Sequence, residues 1–559
     1  QILLEEAQRF SLAEYSQACG VPAAKIVELA RDFTSHGRKA MADCHGGTMH
    51  SNGFFTAYAA AMLNAMVGNL NWKGGSSAGG GKFPDFGEGP RYDLAKFPGK
   101  VKPRGVPLSR MFSYEKTTEF KEKQAQGQAY PAAGPWFPFS AAVQGEFIPA
   151  ALNGYPYALK ALMLWNTNPL YGQAGLYEQV KDKLADAKKL PLIVAIDPFI
   201  NESSRFADYI VPDTVLYESW GATTPWAGHL TKVSSLRWPV VEPPLEKMAD
   251  GQPICMETFV VALAKHLGLP GFGDKAMSDA EGRVLSLHSP EEYYLRGYAN
   301  TCFAGKPVPD VKGDELALTG VERVLPQLQA VLKEEEWPKV AYALARGGRF
   351  EPAAKSYEGD WLTHRHPLPL QIYNETVGTT RNSMNGTRYP GVPTWLPPVC
   401  ANGEPVEKHY PREQWPFAVV STKSQLQSPH TIGEARLRQI QPENGIVLHP
   451  DDAAALGIRQ GDRIRVTSPG GSIEGVAVLR HGIVRGAIGV EHGYGHWGLG
   501  AAAVVIDGRE VAADRQRARG AAANLLGLAD PSRTGISTLA DMVTGANARQ
   551  GTVARVNKI

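Results

Sequence analysis

Ala161-Leu-Met-Leu-Trp-Asn-Thr-Asn-Pro-Leu170 and, after a polar interval, Ile193-Val-Ala-Ile-Asp-Pro-Phe-Ile-Asn201 read as two β-strands that each end in turn-forming polar residues. Short apolar runs of this kind suit a parallel sheet buried on both faces. In an open α/β sheet, ligands sit at the carboxyl ends of the strands. That makes Asn166, Asn168, Pro169, Asp197 and Asn201 candidates for a binding edge. Asp197 is placed to accept two N–H bonds from a guanine edge, or a bond from a ribose hydroxyl. Each residue also has a purely local reading. Asn and Pro suit a strand-to-helix turn, and Asp197 suits a cap before Glu202-Ser-Ser-Arg205.

The same alternation runs from about 159 to 269. Residues 177–189 read as a polar helix between the strands, 207–212 as a third strand and 256–267 as a helix. Upstream, residues 11–35 read as two helices. Ser11-Leu-Ala-Glu14 opens the first as a capping box, and Cys44-His-Gly-Gly-Thr-Met-His-Ser-Asn-Gly53 is a glycine-rich loop before a helix from about Phe55 to Val67. Residues 76–105 are a Gly/Pro-rich excursion of a length that is usually functional or interfacial. Residues 270–410 read as an irregular, Pro-rich connection around one charged helix near 323–336. From 411 the chain changes to short strands at 417–420, 445–448, 463–467, 472–479 and 487–490, parted by turns such as Ser468-Pro-Gly-Gly471. That pattern predicts a small β-barrel. The expected domains are 1–158, 159–269, 270–410 and 411–559.

His492-Gly-Tyr-Gly-His-Trp497 follows the last of those strands. Two histidines, a tyrosine and a tryptophan between glycines suit a pocket lining better than a core, although a surface loop with incidental histidines is the plain alternative. Its histidines are four apart, as in a zinc-protease helix, but the glycines break a helix and the Glu of HExxH is missing, so no zinc site is assigned. His430, in Ser428-Pro-His-Thr431, is ambiguous in the same way.

Bulk properties narrow the classes. The 559 residues hold roughly four domains' worth of chain. With 58 basic and 56 acidic residues the net charge is +2, which argues against nucleic acid or an anionic membrane as the main partner. No apolar run reaches the ~18–20 residues of a membrane span. The five cysteines (Cys19, Cys44, Cys255, Cys302, Cys400) are scattered without a CxxC pair, so they do not make a zinc or iron–sulfur site by themselves. Gly79-Gly-Gly81 and its neighbours match neither GxGxxG nor the P-loop pattern GxxxxGK[ST]. Gln1-Ile-Leu-Leu-Glu-Glu enters helical pattern at once, without a methionine or leader, as a fragment of a longer chain would.

Several motifs in order then carry a resemblance. Trp165-Asn-Thr-Asn-Pro169, Ile196-Asp-Pro-Phe-Ile-Asn-Glu202, Phe206-Ala-Asp-Tyr-Ile-Val-Pro212 and Glu218-Ser-Trp-Gly221 resemble successive signatures of molybdopterin oxidoreductases of the dimethyl-sulfoxide-reductase superfamily. Asn444-Gly-Ile-Val-Leu-His-Pro450, Leu456-Gly457, Gly461-Asp-Arg-Ile-Arg-Val466 and Asn524 resemble that family's dinucleotide-binding β-domain. Residues 196–226, Arg237-Trp-Pro-Val-Val-Glu-Pro243, Asp250-Gly-Gln-Pro-Ile-Cys-Met-Glu-Thr258 and Leu267-Gly-Leu-Pro-Gly-Phe-Gly-Asp274 are most similar to its tetrathionate-reductase branch.

The resemblance implies an α/β fold, with doubly wound parallel-sheet domains followed by a C-terminal barrel of the double-psi type. It implies a molybdenum bis(molybdopterin guanine dinucleotide) cofactor. Asp197 and Asn201 would serve its guanosine end, with Asn168 and Pro169 in the turn beside it; Asn166, Glu218, Thr422, Lys423, Ser428, His430, Thr431, Trp497 and Asn524 would make further cofactor contacts. His492, Tyr494 and His496 would lie toward metal and substrate, with His492 and His496 as cationic donors. Asn166 stands where the family usually has Gly, and Lys423 where it usually has Arg, losing bidentate geometry.

The family's four-cysteine [4Fe-4S] motif and its protein ligand to molybdenum are not in this sequence. Both are expected in an N-terminal region outside it, which would leave this portion alone without a complete active site. The implied reaction is two-electron reductive cleavage of tetrathionate. The implied partners are an iron–sulfur electron-transfer subunit, together with a quinol-oxidising membrane subunit, in the periplasm after twin-arginine export. The rivals are an arsenate, polysulfide, thiosulfate or selenate reductase of the same superfamily, and a non-catalytic scaffold subunit that keeps the fold.

Overall fold

The computed structural model describes residues 1–102, 104–223, 228–428 and 434–559. Leu162–Trp165, Ile193–Ile196 and Tyr209–Val211 form a parallel three-stranded sheet, with Ile193–Ile196 in the middle. Every residue of that middle strand is buried, as its unbroken apolar run predicts. The edge strand differs from expectation. Leu164 is buried, but Met163 and Trp165 are 44% and 54% exposed, so one face of this strand opens onto a cleft. Ile148, Leu152, Leu170, Leu176, Val180 and Ile193 pack the other face into a common core.

Of the helix expected over 177–189 only Tyr177–Val180 forms, and turns complete the crossover. Ser11 caps the helix Leu12–Cys19 as its capping box predicts. Its Oγ accepts from Glu14 N at 3.2 Å, and Glu14 Oε2 accepts from Ser11 N at 2.7 Å.

Residues 273–350 correct the reading of an irregular connection. They contain the hairpin Gly273–Asp279/Val284–Leu287 and the helices Pro290–Phe303, Gly313–Thr319, Leu325–Val331 and Trp337–Ala345. Leu295, Tyr298, Val321, Leu328 and Val340 bury them in a core shared with Tyr92, Trp220, Leu236 and Trp238. Prolines hid these helices because Pro290, Pro326 and Pro338 sit in first turns, where they start helices instead of breaking them.

The C-terminal strands close into a six-stranded barrel around Ile446, Ile464, Val466, Ala477 and Val490. Its sixth strand, Thr552–Lys558, lies beyond those expected from the sequence. It pairs with Phe417–Thr422 on one side and Arg463–Ser468 on the other, and so completes the closure. Phe417–Thr422 and Ala487–Glu491 run parallel with Thr422 opposite Glu491. Both strands therefore end at one rim, and the segments that follow them leave the barrel together, toward the sheet.

Candidate functional site at the sheet–barrel junction

The strand ends and the barrel rim enclose a cleft of about 770 Å³, lined by Trp165, Asn168, Tyr171, His492, Asn524 and Arg549 among others. Asn166 begins it with φ +45°, the left-handed region that Asn tolerates better than most side chains, and its N–H donates to Ile196 O at 2.9 Å. Gly adopts this backbone conformation freely and Asn tolerates it, which fits Asn166 standing where the resemblance implies Gly.

Asn168 and Glu202 tie the two strand-end turns together. Asn168 Nδ2 donates to Glu202 Oε2 at 2.6 Å, and Ser203 Oγ donates to Asn168 Oδ1 at 2.8 Å. Glu202 Oε1 faces the barrel loop, accepting from His496 Nδ1 at 2.9 Å, Trp497 N at 3.0 Å and Gly498 N at 2.8 Å. Burial alone would raise the Glu202 carboxyl. The hydrogen bond and charge of His496, with the Gly498 N–H and Asn168 amide, instead bring it down to about 2. His496 stacks on Tyr171 with centroids 3.9 Å apart, and the Tyr171 hydroxyl donates to Tyr494 O at 2.8 Å. Trp497 packs on Tyr177, and Asn524 Nδ2 donates to Tyr171 O at 2.9 Å.

Asp197 is held in a shallower position. Phe199 N donates to Oδ1 at 2.9 Å and Asn201 Nδ2 to Oδ2 at 3.1 Å, leaving each oxygen a free lone pair. Burial, reinforced by the neighbouring Asp213 carboxylate, pushes its carboxyl up to about 6 against those donors.

The loop's polar residues separate into two groups. His492 lines the cleft, with its N–H donating to Thr422 O at 3.0 Å. Burial, then the charges of Arg549 and Lys423, push its imidazole down, so it is neutral at neutral pH and the cationic character there belongs to Arg549 and Lys423. Tyr494 and His496 are enclosed at 0% and 1% exposure, behind Tyr171. The histidine pair expected as cationic donors thus divides into a neutral cleft residue and a buried partner of Glu202.

Ser428 lines the cleft, and Pro169 starts the short helix Pro169–Gly172 beside it. His430 and Thr431 fall outside the described residues. Glu218 belongs elsewhere: its Oε2 accepts from Val215 N at 2.9 Å, and it lines a second cleft of about 460 Å³ with Glu257 and Arg323. The sequence reading missed Glu202 as a site residue, along with Tyr171 and Arg549. Glu202 had a signal as the last residue of the motif 196–202, whose expected site residues were Asp197 and Asn201.

Residues 419–537 match the family model described as a molydopterin dinucleotide binding domain. The chain belongs to the dimethyl-sulfoxide-reductase superfamily of molybdopterin oxidoreductases. It is 45% identical over 562 residues to a tetrathionate reductase subunit of Salmonella typhimurium, covering all of this chain and 55% of that protein. A selenate reductase subunit of Mesobacillus selenatarsenatis is 32% identical over 594 residues, with 100% and 55% covered. The corresponding tetrathionate reductase subunit of Archaeoglobus fulgidus is 32% identical over 533 residues, with 89% and 46% covered. The chain thus spans about half the length of these relatives. Among solved structures, acetylene hydratase from Pelobacter acetylenicus superimposes with TM-score 0.52 at 17% identity, covering 99% of this chain and 66% of that one, a likeness of fold.

Proposed function

We propose that this protein serves a molybdenum-dependent respiratory reductase that converts tetrathionate to two thiosulfates. The sulfur–sulfur bond takes up two electrons and breaks, and each half leaves as a dianion, so no proton is consumed. The observation that carries this reading is the cleft in which the polar strand ends meet a barrel rim bearing Arg549 and Lys423 beside a neutral His492. Charge growing on a departing thiosulfate needs cationic donors already in place. The similarity to two tetrathionate reductase subunits, along 100% and 89% of this chain, supports that substrate.

The residues fit a pterin dinucleotide. The cleft is lined by the polar strand end Asn166, Thr167 and Asn168 together with Ser428, Asn524 and Arg549, and buried polar atoms such as Trp497 Nε1 and His496 Nε2 lack a hydrogen-bond partner among the described residues. A molybdenum bis(molybdopterin guanine dinucleotide) centre, when bound, supplies the two electrons. Asp197 and Asn201 accept from and donate to a guanosine end, with Asn166, Asn168 and Pro169 shaping the turn beside it. Thr422, Lys423, Ser428, His430 and Thr431 serve the barrel side, and Asn524 and Trp497 flank the pterin. His492 and Arg549 face the substrate, while Tyr494 and His496 position the loop. No described helix is long and apolar enough to cross a membrane. In this reading a [4Fe-4S] cluster and an iron–sulfur partner would relay electrons from a quinol-oxidising membrane subunit, on the periplasmic side.

The test is elemental analysis and pterin fluorescence on the full-length protein purified without air, followed by a panel of acceptors. Molybdenum with about two pterins per chain and tetrathionate-dependent oxidation of a reduced dye are expected. Well-folded protein with neither metal nor pterin would overturn the reading in favour of a scaffold. Reduction of selenate but not tetrathionate would move it to the second reading, which the similarity to a selenate reductase favours.

A further inference from the structure

The short helix Ala435–Ile440 turns one arginine into the protein. Arg438 is 6% exposed, while Ile440 on the same helix is 71% exposed. Its Nε, Nη1 and Nη2 are all buried, and none has a hydrogen-bond partner among the described residues. A guanidinium has five N–H donors and keeps its charge, so its burial without an acceptor is costly. The neighbours do not offset that cost. Burial and then the nearby Arg517 guanidinium push Arg438 down from its ordinary value, opposed by Tyr171 and Tyr494; Asp514 acts more weakly than either tyrosine and faces Arg517 at 3.6 Å.

Tyr494, within electrostatic reach of Arg438, and Gln427, packed against Gly493 next to Tyr494, also carry unsatisfied side-chain atoms. The Tyr494 hydroxyl, fully enclosed, lies beside Ser424 without a well-formed hydrogen bond. Gln427 is 1% exposed, and both its side-chain oxygen and nitrogen lack partners. Gln427 donates its backbone N–H to the same Ser424 at 3.2 Å and packs against Gly493, next to Tyr494. Tyr171 connects this group to the cleft, because its ring lines the cleft while its hydroxyl is bonded to Tyr494 O.

We propose that Arg438, with the Tyr494 hydroxyl and the Gln427 amide, is a built receptor for a tetrahedral oxyanion. A multiply charged oxyanion accepts from the fork of a guanidinium and from hydroxyl and amide donors, and it offsets the buried positive charge, which a neutral acceptor does not. Two sources carry that chemistry at this junction: a phosphoryl group of the bound dinucleotide, and a sulfonate end of the substrate. Naming these sources rests on the proposed reductase; the oxyanion site itself does not.

The test uses full-length protein in two forms, with Arg438→Gln and the sterically mild Tyr494→Phe. In cofactor-free protein, millimolar inorganic pyrophosphate or thiosulfate is expected to raise the Tm of the wild type, with the rise absent in R438Q and reduced in Y494F. Without anion, R438Q is expected to melt no lower than wild type, since it removes an uncompensated charge. In enzyme purified with its cofactor, a several-fold fall in pterin per chain for R438Q would assign the site to the phosphoryl group. Full pterin content with a KM for tetrathionate raised ~10-fold or more would assign it to the substrate. Unchanged anion response, pterin content and KM in both variants would overturn the proposal. If the wild type proves to hold neither metal nor pterin, the reductase reading fails while the anion-dependent Tm still decides this site.

Discussion

The Glu202 carboxylate and the His496 imidazole lie 2.9 Å apart with both side chains completely enclosed, although 294 positions separate them. One belongs to the turn after a sheet strand and the other to a loop leaving the barrel rim. Two further N–H groups of that loop share the same oxygen, and Asn168 takes the other. A single carboxylate therefore joins both strand-end turns to the loop that forms the opposite wall of the cleft.

Replacing Glu202 by Gln keeps the shape and removes the charge. Leaving His496 and two buried N–H donors without their anion is expected to cost roughly 3 kcal/mol. The wild-type advantage has a definite pH dependence. Folding lowers the Glu202 carboxyl from its usual 4.5 to about 2, so its contribution is present above 4.5 and is lost as pH falls toward 2. Thermal melts of wild type and E202Q should be well separated at pH 6 and converge on acidification. Equal melting at pH 6 would contradict the joining role.

Asp197 predicts the opposite sign. Its carboxyl rises from 3.8 to about 6 on folding, so ionising it in the folded state costs stability as pH climbs through that interval. Asp197→Asn should therefore melt higher than wild type at pH 7.5, by ~1 kcal/mol after allowance for its partial exposure, and about equally at pH 4. If Asp197 grips a guanosine end, the same stabler variant should hold less pterin dinucleotide per chain.

Gly498 touches the turn so closely that a Cβ would stand 2.5 Å from Glu202 N. Gly498→Ala is expected to lower Tm and cofactor content together, because the loop must withdraw from Glu202. Gly482→Ala, in a turn with nothing within 4 Å, is the matched control and should leave both unchanged.

Arg549 and Lys423 hold His492 neutral from across the rim, after the larger effect of burial. Arg549→Met should raise the His492 pKa toward 6.5, which a histidine-resolved NMR titration would read directly. In the proposed reductase, the same change should raise KM for tetrathionate ~10-fold or more by removing a cation from the cleft. An unmoved His492 titration would place Arg549 outside electrostatic reach of it.

Much of this architecture was legible in local pattern. The run Ile193-Val-Ala-Ile196 reads as a central strand because nothing in it tolerates water, and alternation within 463–467 and 472–479 reads as barrel walls. The helices between 290 and 345 were hidden by prolines whose position relative to a helix start is not visible until the start is known. The open face of Leu162–Trp165 was hidden because Met163 and Trp165 are apolar whether or not anything covers them.

By itself, the sequence determined the strand-and-turn grammar, the polar strand ends, the histidine loop and, through motifs in series, the family. Those are properties of residues near one another in the chain, where propensity and periodicity act. Only the tertiary structure decided which polar residues share a space. It put Glu202 against His496, held His492 neutral beside Arg549, moved Glu218 to another cleft and enclosed Arg438 without an acceptor among the described residues. Burial and charge pairing between segments hundreds of residues apart set those outcomes. They depend on distance through space, which the order of residues encodes only once the chain has folded.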